Sequence, residues 1–359
     1  MLSFGNRKGK SVNVKIEGVK IGQGHPPYVI AELSANHNGS LANALATIDE
    51  AKRCGASAVK LQTYTADTMT IDSDRPEFLI KGGPWAGYKL YELYKQAETP
   101  FEWHKAMFEH ARKIGITVFS TPFDESAVDL LEELGTPAYK IASFELTDLP
   151  LIEYVARTGK PLIMSTGMAT EEEIQEAVDT ARQAGCKELV LLHCISSYPA
   201  PLEQANVAQV KELGDRFEIV PGLSDHTLGT TASVAAVALG ACLIEKHFIL
   251  NRSDGGPDSG FSLEPDELRR LCRDTYDAWA AVGKRGYKTQ EAEEENKIFR
   301  RSIYFMRDMK AGERVSENDV RRIRPGAGLK PKHFQDLIGK VLKVNVKRGT
   351  PTSWTLFDD

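Results

Sequence analysis

The feature that most constrains the fold of this chain is an eightfold alternation, between Tyr28 and Val282, of a short apolar segment and a longer amphipathic one. The apolar segments have the length and composition of buried strands, and they cover 28–34, 57–63, 116–121, 138–143, 161–166, 188–194, 218–224 and 242–248. Strands that alternate with helices predict a parallel sheet covered by helices. Eight such units over about 250 residues are the size of a closed (β/α)8 TIM barrel. The alternative is a doubly wound open sheet, but no GxGxxG follows the first strand. We therefore predict a barrel domain over residues 1–283.

The rest of the chain changes character. Residues 284–298 are highly charged and show no apolar periodicity, which predicts a linker or an exposed helix. In residues 299–359, short β-like runs alternate with turn sequences such as KAGE and KRGTP, and the segments that begin at Met309 and Val346 echo each other. A domain of about 60 residues is only marginally stable alone. We expect a small β-rich module that leans on the barrel or on a second subunit.

Composition excludes several classes of protein. The net charge is −5, which argues against nucleic-acid binding because that needs a basic footprint. The longest nearly apolar run, 232–244, is too short for a membrane span, which needs about 20 residues. The first residues are basic but lack the apolar stretch of a secretory signal. The five cysteines are an odd number without a CxxC pair. Reduced thiols, a cytoplasmic location and no membrane partner are the expectation.

Lysines and serines cluster at the carboxyl ends of the predicted strands, where the active site of a (β/α)8 barrel lies. Lys60 and Lys140 fall inside strands that are otherwise mainly apolar, so they need partners or an anionic ligand. Together with the hydroxyls of Ser143, Ser165 and Ser224, they would suit a phosphate or a carboxylate.

Two alternatives to an anion site stay open. Each lysine could pair with an acid of a neighbouring strand, Lys60 with Glu32 for example, in a structural ion-pair network. One lysine could instead be a Schiff-base nucleophile, as in barrel aldolases. That role requires a desolvated lysine without charged partners, and two cations among serines favour anion binding.

Two histidines fall at the ends of the seventh and eighth predicted strands. Because these strands are neighbours in a barrel, His226 and His247 could share a divalent metal and leave positions open for water and substrate oxygens. The alternative is a pair of capping or core histidines. Asp225 could orient an imidazole or cap the following helix.

The strand-end motifs together resemble the sialic acid synthase family. They run in order through AELSANHNGS, AVKLQTY, STPFDESAVDLLEELGTPAYKIASFELTDLPLI, STGMAT, HCISSYPAP, GLSDHT and EKHF to the C-terminal RPGAG. The resemblance implies a (β/α)8 barrel followed by an antifreeze-like (SAF) domain. It also implies a domain-swapped homodimer, in which each small domain covers the active site of its partner.

The resemblance also implies a reaction. Phosphoenolpyruvate, an amino-sugar aldehyde and water would give a nine-carbon 2-keto acid and phosphate. Within the family, residues 72–104 look most like the pseudaminic acid branch, with N-acetylneuraminate, legionaminate and spore-coat synthases as alternatives. The metal on the two histidines would be Mn²⁺, with Mg²⁺ or Co²⁺ as substitutes.

Residue roles follow from the same resemblance. The expected catalytic groups are Glu32, as general base or charge stabiliser, Lys60 and Lys140. The expected substrate contacts, besides the three serines above, are Gln62, Ser196, Tyr198, Asp258 and Arg324 of the partner subunit. A non-catalytic alternative, a sugar- or ice-binding module on an inactive barrel, is disfavoured because an inactive scaffold has no reason to keep buried charges.

Overall fold

The computed structural model describes residues 12–283 and 286–358. It divides into two compact units, Met1–Gly283 and Lys284–Asp359. The first eleven residues, on which the expectation about a secretory signal depended, lie outside the described residues, as do the first two residues of the predicted linker and Asp359.

Eight parallel strands of the first unit close into a barrel. A short antiparallel hairpin of β1 (Asn13–Ile16) and β2 (Val19–Gly22) precedes them. The barrel strands are β3 (Tyr28–Glu32), β4 (Ala58–Thr63), β5 (Thr117–Pro122), β6 (Tyr139–Ile141), β7 (Leu162–Ser165), β8 (Leu189–Cys194), β9 (Val220–Ser224) and β10 (Leu243–His247). Each overlaps one predicted apolar segment, and β10 pairs with β3 to complete the circle. The (β/α)8 prediction is confirmed.

Helices surround the strands, and capping side chains and glycines mark where several of them begin and end. Ser40 caps α1 by accepting a hydrogen bond from Asn43 N at 3.3 Å, and Thr170 and Glu173 form a capping box at the start of α7. Gly55 ends α1 in the left-handed conformation, at φ 93°. The helices are α1 (Leu41–Cys54), α2 (Ala66–Met69), α3 (Leu90–Ala97), α4 (Phe101–Ile114), α5 (Glu125–Glu133), α6 (Leu149–Ala156), α7 (Glu171–Gln183), α8 (Gln209–Phe217), α9 (Thr231–Ala238) and α10 (Pro265–Val282). Within the described part of the chain, none is both long and apolar enough to cross a membrane.

The interior of the barrel is built in two layers that the strand period of two separates. The layer nearer the amino ends of the strands is apolar. It includes Ile30, Phe119, Ile163 and Leu243, which belong to one buried cluster together with residues of the β1–β2 hairpin. Side chains two positions further along a strand point the same way. They therefore form a second layer nearer the carboxyl ends, and in this chain that layer is polar.

The second unit contains a short antiparallel pair, β11 (Ser302–Phe305) and β12 (Val320–Ile323), and one helix, α11 (Phe334–Leu337). The two segments that echo each other in sequence pair with one another, since Met309 and Val346 exchange backbone hydrogen bonds at 2.9 Å in both directions. These bridges and a separate apolar core confirm the small β-rich domain. The described part of the predicted linker contains two 3₁₀ turns, Glu291–Glu293 and Glu295–Phe299.

Candidate active site at the carboxyl ends of the barrel strands

A buried cluster of two lysines and two glutamates occupies the polar layer of the barrel. Lys60 Nζ lies 2.8 Å from Glu32 Oε2 and 3.6 Å from Glu245 Oε1. Lys140 Nζ lies 3.7 Å from the same Glu245 oxygen and donates a hydrogen bond to Ser165 Oγ at 2.6 Å. All five side chains are buried. Four charges placed in a barrel interior are costly unless they neutralise one another or a ligand.

Strand register explains why these side chains converge. Glu32 on β3 is paired with Lys60 on β4, and Glu245 on β10 is paired with Ser224 on β9. Ser224 Oγ donates to Glu245 Oε1 at 3.1 Å. Gln62, two residues beyond Lys60, points the same way and donates to Glu32 Oε1 at 3.1 Å. The predicted pairing of Lys60 with Glu32 is therefore present, but as part of a larger network.

The cluster perturbs the proton affinities of its members. Burial raises the pKa of Glu32 to about 7; Glu245 adds to the rise and Lys60 opposes it. Although burial acts to raise the pKa of Glu245, Lys140 and Lys60 more than offset it and lower that pKa. Burial lowers the pKa of Lys140, while Glu245 acts in the opposite direction. Glu32 is therefore the carboxylate of this cluster that can take up and release a proton near neutral pH.

Serine hydroxyls from the ends of β6 and β8 face a glycine at the end of β7, the strand between them. Gly167 N donates to Ser143 Oγ at 3.1 Å. A Cβ at Gly167 would lie 2.8 Å from Ser143 Oγ and closer still to Ser196 Oγ, so only glycine leaves room for both hydroxyls. Both serines are half-buried. Hydroxyls and a backbone N–H brought together beside Lys140 form a cradle that suits a phosphate.

The two predicted metal-binding histidines are neighbours. The ring centroids of His226 and His247 are 5.5 Å apart. His226 Nδ1 is bonded to Ile195 O at 3.0 Å, which leaves Nε2 to act as a ligand, in the arrangement common for metal-binding imidazoles. His247 Nδ1 is buried without a hydrogen-bond partner. Burial lowers the pKa of His247 well below its usual value, and His226 and Lys60 act in the same direction, which keeps the ring neutral.

These observations fit a divalent metal held by two imidazoles. In residues 12–283 and 286–358, no group of three or more His, Cys, Asp or Glu side chains is arranged to hold a metal ion. The protein would therefore supply two nitrogen ligands, and water or substrate oxygens would supply the others. Such a mixed nitrogen and oxygen set suits Mn²⁺ better than a site made of imidazoles alone.

An aromatic wall stands beside the histidines. The Tyr198 ring lies 4.3 Å from that of His226, and the Phe261 ring lies 5.0 Å from that of His247. Asp258 on the loop after β10 is buried and accepts hydrogen bonds from Ser34 Oγ and from Ala35 N, the latter at 3.5 Å. Asp258 thus attaches the loop 254–265 to the residues that follow β3, the first barrel strand.

Two further residues singled out from the sequence need a separate description. Arg324 is exposed and belongs to the second unit, and its role as a contact from the partner subunit stays a prediction. Among the described residues, Asp225 is bonded to no imidazole: it forms an ion pair with Lys246 at 2.9 Å and accepts hydrogen bonds from Thr227 N and Ser233 Oγ, so it stabilises the start of the loop before α9.

Sequence reasoning gave Glu245 no role, although the structure places it at the centre of the cluster. The signal was present, because Glu245 stands two positions before His247 on one strand and must share its face. Thr121 was likewise expected at a strand end without a role; its hydroxyl accepts a hydrogen bond from Lys60 Nζ at 3.1 Å.

Comparison with known proteins agrees with this architecture. A family model described as NeuB family matches residues 47–287, and a SAF domain model matches residues 300–358. The chain is 45% identical over 322 residues to a pseudaminic acid synthase of Campylobacter jejuni, covering 90% of this chain and 94% of that protein. It is 43% identical to the pseudaminic acid synthase of Helicobacter pylori, covering 91% and 97%.

A crystal structure of N-acetylneuraminic acid synthetase from Leptospira borgpetersenii, in complex with citrate, superposes with a TM-score of 0.73 at 33% identity. The superposition covers 80% of this chain and 96% of that one. The two family models together match both units. The chain belongs to the NeuB family, with a SAF domain after its barrel.

Proposed function

We propose that this chain catalyses the pseudaminic acid synthase reaction. Phosphoenolpyruvate condenses with 2,4-diacetamido-2,4,6-trideoxy-L-altrose and water, and pseudaminic acid and phosphate leave after C–O cleavage. The observation that carries the proposal is the buried Lys60–Glu32–Glu245–Lys140 cluster beside the imidazoles of His226 and His247, each of which has a nitrogen available to bind a metal. The similarity to synthases of this kind in Campylobacter jejuni and Helicobacter pylori supports the choice of sugar.

The lysines and the serine cradle bind phosphoenolpyruvate. Its phosphate and carboxylate carry about three negative charges near neutral pH, and Lys60 and Lys140 supply the two buried ammonium groups of the polar layer. The hydroxyls of Ser143 and Ser196 donate hydrogen bonds to phosphate oxygens, and Gly167 N orients Ser143 by donating to its Oγ, in the place where a Cβ at position 167 would intrude. Ser165 and Ser224 hold Lys140 and Glu245 in position through hydrogen bonds of 2.6 and 3.1 Å.

Glu32 moves a proton in the reaction, and Glu245 balances the charge of the lysines. C3 of phosphoenolpyruvate attacks the aldehyde carbon, which leaves a cationic centre at C2. Glu32, whose pKa lies near 7, stabilises this charge and accepts a proton from the water that adds to C2. That proton passes to the former aldehyde oxygen, which becomes a hydroxyl of the product. The C–O bond to phosphate then breaks, and the C2 hydroxyl gives its proton to the departing phosphate as the 2-keto group forms. Glu245, which faces both lysines, favours their charged forms.

His226 and His247 would hold the divalent metal, Mn²⁺ with Mg²⁺ or Co²⁺ as substitutes. When bound, the metal supplies a Lewis acid for the aldehyde oxygen. A Schiff-base mechanism is a weaker alternative, since Lys60 is ion-paired at 2.8 Å and both lysines face Glu245.

The proposed sugar contacts adjoin the cluster and the imidazoles. Gln62, Tyr198 and Asp258 bring an amide, a phenol and a carboxylate toward the imidazoles, and all three come from elements around the barrel mouth. Arg324 of the partner subunit completes the set in a homodimer, as the family resemblance implies.

Four exposed apolar side chains support the dimer. Phe144, Met168, Leu202 and Leu228 stand in the loops that follow four consecutive strands, β6 to β9, and each is at least half exposed. An apolar rim of this kind around a barrel mouth is typical of a surface that another chain covers. We assign the second copy, through its small domain, as that partner.

The setting of the reaction is part of the same proposal. The substrates are small metabolites and the five cysteines are free thiols, which suits a cytoplasmic enzyme. Its product would serve surface glycans such as flagellin modifications.

A phosphate-release assay tests the proposal. The protein is stripped with a chelator, reloaded with Mn²⁺, Mg²⁺ or Co²⁺, and supplied with phosphoenolpyruvate labelled with ¹⁸O at the bridging oxygen. We expect release of labelled phosphate only with metal, and fastest with the 6-deoxy diacetamido sugar. Faster turnover with N-acetylmannosamine would overturn the choice of sugar. Activity that survives chelation but is lost on borohydride treatment would point to an aldolase, and no release with any sugar would point to a binding module.

A further inference from the structure

An excursion between β4 and α4 carries one aromatic side chain to the active site. Residues 79–89 form a closed loop: Leu79 and Lys89 are bridged, and Ile80 and Tyr88 are joined by a 2.9 Å hydrogen bond from Ile80 N to Tyr88 O. Between positions 81 and 88 every residue is exposed except Trp85, which is half-buried. The loop therefore turns a single large side chain inward.

Trp85 joins the aromatic wall. Its Nε1 donates to Pro257 O at 2.9 Å, which satisfies its one polar atom and ties the excursion to the loop after β10. Its ring centroid lies 5.5 Å from that of Tyr198 and 6.4 Å from that of Phe261. These two rings contact the imidazoles of His226 and His247. A continuous apolar surface thus leads from the candidate metal ligands to the tip of the excursion.

The site has a polar and an apolar side. Asp258 and Gln62 offer hydrogen-bonding groups, whereas Trp85, Tyr198 and Phe261 offer ring faces and edges. Ring faces favour methyl groups over hydroxymethyl groups, because the hydroxyl would lose its hydrogen bonds to water without replacement. A sugar that carries a methyl group in place of its terminal hydroxymethyl has the matching chemistry.

We infer that Trp85 is a specificity-determining residue, whose indole packs on the 6-methyl group of a 6-deoxy amino sugar. The inference rests on the proposed function, and it goes further by assigning the discrimination to one side chain of the excursion. A pocket that gains or loses one small apolar group changes kcat/KM by about 10- to 200-fold. The selectivity that Trp85 provides should lie in that range.

The test compares two sugars with two variants and a control. The ratio of kcat/KM for the 6-deoxy diacetamido sugar to that for N-acetylmannosamine is measured for the wild type, Trp85→Ala, Trp85→Phe and Tyr88→Ala. Tyr88 is an exposed aromatic residue of the same loop, and its ring stacks on no other ring among the described residues. Tyr88→Ala should therefore keep the wild-type ratio. We expect Trp85→Ala to lower the ratio at least about tenfold, and Trp85→Phe to lower it by a smaller factor.

Binding without turnover provides the second measurement. The alditols of both sugars lack the reactive aldehyde, and their affinities are measured by calorimetry with the Mn²⁺-loaded protein. The 6-deoxy alditol should lose at least about tenfold in affinity in Trp85→Ala, while the 6-hydroxy alditol changes less than threefold. An equal loss for both sugars, or an unchanged ratio in both variants, would overturn the role of Trp85. A wild type that releases no phosphate, or that prefers N-acetylmannosamine, would instead overturn the proposed function. If Trp85→Ala does not fold, Trp85→Phe decides the question.

Discussion

At the scale of single residues, the buried carboxylates decide whether the polar layer can perform chemistry. Glu32 and Glu245 neutralise two lysines that the barrel interior could not otherwise hold. Their environments push their pKa values apart, to about 7 for Glu32 and below the usual range for Glu245. Two carboxylates with separated proton affinities are typical of acid and base roles divided within one site.

Replacing Glu32 by glutamine separates binding from turnover. Glu32→Gln keeps a group of the same size beside Gln62, and Lys60 retains Glu245 at 3.6 Å. We expect KM for phosphoenolpyruvate to change less than about threefold and kcat to fall by about 10²- to 10³-fold. Glu153→Gln, which alters an exposed ion pair with Arg157, serves as the control. Near-wild-type turnover by Glu32→Gln would refute its assigned role.

A second residue controls how stability depends on pH. His37 is fully buried, and burial lowers its pKa from 6.5 to about 4. The unfolded chain therefore binds a proton at this histidine below pH 6.5, whereas the folded chain binds it only near pH 4. The contribution of His37 to the free energy of unfolding is therefore fully present above pH 6.5 and decreases as the pH drops toward 4.

At pH 5 this histidine should cost about 2 kcal/mol of the free energy of unfolding. Urea unfolding at pH 8 and pH 5 measures the difference. His37→Asn keeps an acceptor for Gly39 N, bonded to His37 Nδ1 at 3.1 Å, and should reduce the pH dependence by that amount. An unchanged difference between the two pH values would show that another group is responsible.

At the scale of elements, the turns after the strands shape the site as much as the strands do. The turn after β7 contributes Gly167, and the turns after β6 and β8 contribute Ser143 and Ser196. Inside the barrel, Gly222 on β9 has a comparable role: a Cβ there would lie 2.5 Å from Leu243 O. At these two positions glycine is required because a Cβ would clash with a neighbouring atom, and not because the backbone adopts a positive φ.

Gly167→Ala tests the cradle. Gly167 has no positive φ, so alanine is tolerated by the backbone but fills the space between two hydroxyls. We expect the thermal stability to change little and KM for phosphoenolpyruvate to rise at least about tenfold, because the phosphate loses aligned hydrogen bonds. Gly82→Ala, where a Cβ would meet only open space, is the matched control. Equal kinetics for both variants would exclude a phosphate cradle at this turn.

At the scale of the whole molecule, the question is how a barrel mouth with an apolar rim is covered. The rim residues Leu202 and Leu228 are 51% and 60% exposed. Surfaces of this kind are costly in water, and each large apolar side chain buried on association contributes about 1.5–3 kcal/mol. The proposed dimer would bury them.

A charged rim should therefore separate the subunits. For Leu202→Lys combined with Leu228→Lys, light scattering coupled to size-exclusion chromatography should detect monomers at concentrations where the wild type is dimeric. Phosphate release should fall with dissociation, because Arg324 of the partner subunit is withdrawn. Leu239→Lys is the control, since Leu239 follows the end of α9, away from the carboxyl ends of the strands. A wild type that is monomeric at assay concentrations, or a double variant that remains dimeric, would contradict the proposal.

The sequence by itself determined the barrel, because the hydrophobic period and the length of each segment are local properties that do not depend on how the segments pack. It also placed Lys60, Lys140, His226 and His247 at strand ends, since the order of residues along a strand decides where its side chains emerge. Only the tertiary structure decided which of them meet. Spacing put Glu245 on the same face as His247, but strand register decided its contact with both lysines. Trp85 reaches the aromatic wall through the fold of a long excursion, which spacing along the chain does not predict. Contacts between residues far apart in sequence depend on closure of the whole sheet, and closure is a property of eight strands together.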